Sequence, residues 1–165
     1  MPKNKELRTA DYSIISEQEI VDLINNGQQG EWNNIFISPV INGVSLSIEP
    51  SINLTGGQLS RNVHINDTFL LFSFISALKK LDTLKILHLL GYDLRDLPEN
   101  AFLFRSLEYL RIQNCYLLEL PKNISENSGL ETLSLSHTYL DNLPFELEKL
   151  TKLRVLEVSD NLLMG

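Results

Sequence analysis

The side chains with the most capacity for chemistry here are three histidines, His64, His88 and His137, a single cysteine, Cys115, and two nearby carboxylates, Glu157 and Asp160. Imidazole and thiolate ligands hold a zinc ion when three or four of them meet around one point. A cysteine beside a histidine can act as a nucleophile with its base, and paired carboxylates can divide general acid and base work. Another group suits recognition rather than reaction. Tyr109 stands two residues from Arg111, and these residue types supply most interface energy. Gly56-Gly57 has the glycines of a phosphate loop but no Lys-Ser or Lys-Thr behind them. Which of these groups can meet depends on the elements that carry them.

Those elements repeat. Leu84, Leu107, Leu130 and Leu153 follow one another at 23-residue intervals, and each opens the pattern L-x-x-L-x-L. The apolar sets are Leu84, Leu87 and Leu89; Leu107, Leu110 and Ile112; Leu130, Leu133 and Leu135; and Leu153, Leu156 and Val158. A leucine follows each set at Leu94, Leu117, Leu140 and Leu163, and Leu-Pro pairs recur at Leu97-Pro98, Leu120-Pro121 and Leu143-Pro144. The pattern predicts short strands lying side by side in a parallel sheet, about 4.8 Å apart. The leucines then point inward and stack. The Leu-Pro segment turns the chain back along the outer side, where Phe102, Ile124 and Leu147 complete the core. One repeat cannot bury its own apolar edge, so each needs neighbours.

Residues between the leucines project from the opposite face. One column is Ile86, Tyr109, Thr132 and Val155, and the next is His88, Arg111, Ser134 and Glu157. A third is Leu90, Gln113, Ser136 and Ser159, followed by Gly91, Asn114, His137 and Asp160. This register resolves the chemistry. His88 and His137 fall in different columns two repeats apart, at least about 10 Å, and cannot share a metal. Glu157 and Asp160 face no second acid, and no nucleophile–base pair forms. An enzyme is not expected, and neither metal nor cofactor is implied. The expected partner-binding set is Ile86, His88, Tyr109, Arg111, Gln113, Thr132, Ser134, His137, Val155 and Glu157, with Tyr109, Arg111 and His88 leading. The plainer alternative is that these are solvated positions of a sheet that binds elsewhere.

With these repeats the chain is identified as a member of the leucine-rich-repeat family over residues 84–163. The outer half, L-P-x-x-[apolar]-x-x-[apolar], resembles the subtype of intracellular Ras-binding scaffolds, plant immune receptors and bacterial effectors. The resemblance implies an α/β fold, a curved solenoid with the parallel sheet inside and short helical or irregular segments outside. It also implies a binding surface on the concave sheet, with no particular ligand. The position the family usually gives to Asn holds Tyr92, Cys115, Thr138 and Asn161. Asn161 is expected to supply the full amide ladder, Cys115 and Thr138 to act as small substitutes, and Tyr92 to depart from the turn. Cys115 is thus expected to be a buried structural thiol.

Upstream lies a cap, residues 13–66, after a flexible tail at 1–12. Ser16 and Glu19 form a capping box for a helix over 16–26, with Ile20, Leu23 and Ile24 on one face and Gly27 beyond its end. Asn42-Gly43 suits a two-residue hairpin turn pairing Ile41 with Val44, Pro39 with Leu46 and Ile37 with Ile48. Pro39 lacks an N–H, so residues 35–39 are expected as an edge strand and 44–49 as the first strand of the repeat sheet. Residues 50–66 read as a loop, and Asp67 or Thr68 caps a helix running to about Lys80 within the repeat region 67–165. The order Val44-Ser-Leu46-Ser-Ile48, Gly57, Leu59, Asp67-Thr-Phe69, Leu78-Lys-Lys-Leu81 and Leu84-Lys-Ile-Leu87 is similar to plant receptor-like kinase ectodomains, which carry a helix and strand cap. The chain lacks their paired cysteines and signal peptide.

Composition narrows the partner. A net charge of −7 opposes nucleic-acid binding, which needs a basic face to displace counterions. No run approaches the ~18 apolar residues of a membrane span. With no apolar leader and one cysteine, a cytoplasmic setting is expected, or an extracellular one if the N-terminus is not the natural one. The sequence stops at Leu162-Leu163-Met164-Gly165, inside a fourth repeat with no polar closing segment. Either the natural chain continues, which is favoured, or a second copy covers that edge as a homodimer. The expected function is protein–protein recognition or scaffolding in signalling. The alternative is a regulatory or structural arm of a longer protein with a kinase, ubiquitin ligase or receptor beyond residue 165; a small-molecule or peptide-hormone site near Tyr109 is a third.

Overall fold

The computed structural model describes residues 12–15, 18, 22, 34–38, 40–41, 44–45, 60–80 and 84–163. Its strands are β1 (Tyr12–Ile15), β2 (Asn34–Ser38), β3 (Val40–Ile41), β4 (Val44–Ser45), β5 (Ser60–His64), β6 (Ile86–Leu90), β7 (Tyr109–Gln113), β8 (Thr132–Ser136) and β9 (Val155–Glu157). Among the described residues a full helix, α1 (Thr68–Leu78), and two 3-10 turns, Lys122–Glu126 and Phe145–Lys149, accompany them. Seven strands form a parallel sheet in the order β1-β5-β2-β6-β7-β8-β9. The described structure is thus α/β, a parallel sheet with few helices.

From β6 to β9 the pairing follows the 23-residue interval without a slip. Leu87 pairs with Leu110, Leu110 with Leu133, and Leu133 with Leu156. A strand alternates its faces every residue, so this register sets every leucine of the motif on one side. Leu87, Leu89, Leu110, Ile112, Leu133 and Leu135 are wholly buried there. Phe102 and Ile124 close the same core from the return segments, and Leu147 packs against it partly buried. Each such side chain contributes about 1.5–3 kcal/mol by leaving water. At the outer strand β9 the cover thins, leaving Val155 50% and Leu156 43% exposed.

Asp67 caps α1 as expected. Its Oδ1 accepts from the Phe69 and Leu70 N–H groups at 2.8 and 3.2 Å, which occupies free donors of the first turn. Leu71, Phe74, Ile75 and Leu78 bury the inner face of that helix. Lys79, just after it, donates to the Asn100 carbonyl at 3.0 Å.

The upstream segment departs from expectation. The hairpin contact of Ile41 with Val44 is present, but it belongs to a separate two-stranded sheet of β3 and β4. Residues 35–39 are not an edge strand: β2 lies inside the large sheet, where Ile37 pairs with Val63 and Leu89 rather than with Ile48. It can do so because it ends at Ser38, so the missing N–H of Pro39 breaks no ladder bond. Val44–Ser45 does not open the large sheet, and residues 46–49 lie outside the described residues. Residues 60–64, expected as loop, form β5 between β1 and β2. Pairing on both sides overrides a segment of weak strand propensity. Tyr12, placed in the tail, begins β1. Of residues 16–26 only Gln18 and Asp22 are described; both are helical, and Gln18 Nε2 donates to Asp22 Oδ1 at 2.9 Å. The capping box of Ser16 and Glu19 lies outside the described residues.

Candidate functional site

The face opposite the leucines gathers the expected residues in rows. Ile86, Tyr109, Thr132 and Val155 are register partners across β6 to β9, and so are His88, Arg111, Ser134 and Glu157. Gln113 pairs with Leu90 and Ser136 in the third row. His137 follows the last residue of β8, exposed, with a φ of 53° and its Nε2 3.4 Å from Asp160 Oδ2.

The second row runs further than its sequence suggests. Phe36 on β2 pairs with His88, and the two rings meet edge to face at 5.5 Å and 78°. His88 is therefore not the exposed contact residue expected; it is 5% exposed. Burial, and then the positive charge of Arg111, lower its pKa to about 4, which keeps the ring neutral at neutral pH. Ser134 is also buried, and its hydroxyl donates to Glu157 Oε2 at 2.7 Å. The residues of the expected set that stay half-buried or exposed on this face are therefore Ile86, Tyr109, Arg111, Gln113, Thr132, Val155 and Glu157. Burial pushes the Tyr109 phenol up, with Arg111 opposing.

Three buried polar atoms on this face, His88 Nε2, Arg111 Nε and Gln113 Oε1, make no hydrogen bond of standard geometry. The Gln113 side chain nevertheless lies near enough to His88 to oppose the fall in its pKa. Buried polar groups are nearly always satisfied, so three on adjacent strands are unusual. Arg111 also has no carboxylate at ion-pair distance among the described residues. The geometry presents a guanidinium beside a phenol ring, backed by a neutral imidazole. A guanidinium so placed can donate to an acceptor group. Among the described residues no three His, Cys, Asp or Glu side chains gather in a metal-ligating group. No described helix is long and apolar enough to cross a membrane.

Side chains past the strand ends bond neighbouring turns to one another. Asn161 Oδ1 accepts from the Thr138 N–H and hydroxyl and the Leu140 N–H, at 3.0, 2.7 and 3.1 Å, while its Nδ2 donates to the Val158 carbonyl. Cys115 is a buried thiol whose Sγ accepts from the Tyr92 N–H at 3.4 Å, and burial pushes its pKa up to about 11. Such a thiol is a poor nucleophile. Tyr92 keeps its place differently: its ring is buried and its hydroxyl donates to the Ile65 carbonyl at 2.7 Å. Asn127 was not singled out by its spacing. It is 1% exposed, accepts from the Phe104 N–H at 2.6 Å and donates to the Phe102 and Ile124 carbonyls. The available signal was an Asn where the flanking repeats carry Phe104 and Leu150.

Comparison with known proteins finds no matching family model, curated protein or solved structure.

Proposed function

We propose that the chain is a leucine-rich-repeat solenoid and acts as a non-enzymatic protein-recognition or scaffold module. The sheet face carrying Tyr109 and Arg111 is its binding surface. The fold reading is supported by the L-x-x-L-x-L interval and by the slip-free pairing of β6 to β9 at that interval. The observation that carries the function is Arg111: its Nε is buried and unpartnered, and no described carboxylate pairs with it. Leaving such a donor unsatisfied costs about 1–3 kcal/mol, which a partner's acceptor recovers. A carboxylate or carbonyl of the bound protein fills that role, with Tyr109 stacking beside it. The test is capture of a partner by the natural chain, set against the Tyr109→Ala, Arg111→Ala double variant.

A second reading concerns the outer edge of β9. Val155 and Leu156 are exposed there, and β9 pairs on one side with β8. An unprotected edge strand invites another strand, including that of a second copy. Sedimentation of the isolated chain across a concentration series distinguishes this self-pairing from a monomer.

A further inference from the structure

At the carboxyl ends of β6 to β9 the backbone turns through left-handed conformations at Gly91, Asn114, His137 and Asp160, with φ of 84°, 52°, 53° and 55°. Two residues beyond each lies a parallel row, Asp93, Tyr116, Tyr139 and Leu162. Backbone bonds tie it together, among them Leu94 N–H to the Tyr116 carbonyl at 2.9 Å and Leu162 N–H to the Leu140 carbonyl at 2.8 Å. The row forms a ledge. The Tyr116 and Tyr139 rings meet edge to face at 5.0 Å and 84°, and Tyr139 and Leu162 are 54% and 58% exposed. Tyr139 has a φ of 61°, a region that a bulky residue rarely occupies and that clusters at functional sites.

The ledge already holds one cation, its own. The Arg95 guanidinium lies 4.3 Å over the Tyr116 ring, and Asp93 holds it from the side with Nη2–Oδ2 at 2.6 Å. Tyr139 is the next ring along, and the residue one repeat after Arg95 is Leu118, which carries no charge. Among the described residues no cation lies over the Tyr139 ring. A carboxylate is nearby: Asp160, whose Oδ2 lies 3.4 Å from the exposed imidazole of His137, lines a hollow of about 320 Å³ with Tyr139, Asn114, His137 and Leu162. Asp141 adds an exposed carboxylate two residues past Tyr139. An aromatic face and carboxylates are present, and among the described residues no guanidinium or ammonium lies over the ring.

We propose that this ledge is a second interaction surface, taking an arginine-bearing extended segment of a partner protein. The guanidinium stacks on Tyr139, as Arg95 does on Tyr116, and pairs with Asp160, a carboxylate from the turn after the ring where Asp93 comes from the turn before it. Leu162 and the half-exposed Leu118 receive apolar side chains on either side of the arginine. The surface is separate from the Tyr109–Arg111 face and does not depend on it.

The test is an NMR titration of the 165-residue chain with the blocked peptide acetyl-Leu-Gly-Arg-Gly-Leu-amide, against the same peptide carrying uncharged citrulline. The arginine peptide is expected to shift the amides of Asn114, His137, Tyr139 and Asp160. The citrulline peptide, and the arginine peptide on Tyr139→Ala or Asp160→Asn, are expected to bind at least about threefold more weakly. Tyr139→Phe keeps the ring and keeps binding. Asp160→Asn tolerates the left-handed backbone, so it reads the interaction even if Tyr139→Ala folds poorly. Glu131→Gln removes the same charge at the amino end of β8 and leaves affinity unchanged. Equal binding of the citrulline peptide, shifts that avoid these residues, or equal weakening by Glu131→Gln overturns the proposal.

Discussion

Asn161 and Thr138, 23 residues apart in sequence, are joined twice: one amide oxygen receives both the backbone N–H and the hydroxyl of Thr138. The contact links the ends of β8 and β9 just where the strand face meets the ledge. Removing it leaves the Thr138 and Leu140 N–H groups without their acceptor. Asn161→Ala is expected to lower stability by about 1–3 kcal/mol, read as a fall in urea midpoint at unchanged slope.

Asn127 is the sharper case because it is almost wholly buried. The residue one repeat later is Leu150, so Asn127→Leu asks whether an apolar side chain suits this position in general. The Phe104 N–H would lose its acceptor and the Phe102 carbonyl its donor. A loss of at least about 2 kcal/mol in urea unfolding is expected. A neutral substitution would show that the amide bonds are dispensable.

His88 carries a pH signature. Its pKa in the fold, about 4, lies below the ordinary 6.5, so the unfolded chain binds the proton more readily. The stability this group contributes is complete above about pH 6.5 and is lost as pH falls toward 4. The difference corresponds to about 3 kcal/mol. Between pH 7 and pH 4 the urea midpoint of the wild type is expected to fall further than that of His88→Leu, because only the wild type loses this contribution. Parallel profiles would mean that the ring is not held neutral by burial and Arg111.

Much of the arrangement was legible in the residues themselves. The leucine interval places Leu87, Leu110 and Leu133 in register because strand alternation admits one solution once the apolar side is buried. The same register foretells the Tyr109 and Arg111 columns, and Asp67 announces its helix by cap chemistry alone. Long-range pairing is where local reading ends. Nothing in Ser60-Arg-Asn-Val-His marks a strand, since its stability comes from two neighbours distant in sequence. For the same reason Phe36 could not be placed beside His88, and His88 read as exposed when Phe36 and Arg111 enclose it. The ledge was hidden differently: its Tyr116–Tyr139 contact and the Arg95 stack depend on turn geometry that no apolar period encodes.

The central claim is that Tyr109 and Arg111 read a protein partner. It is tested most directly by calorimetric titration of a partner captured by the natural chain, comparing wild type with Tyr109→Ala, Arg111→Ala. Far-UV circular dichroism and the urea midpoint verify that the variant keeps its fold. The account predicts a loss of at least about 2 kcal/mol, roughly thirtyfold in Kd. Unchanged affinity in the folded double variant would contradict it.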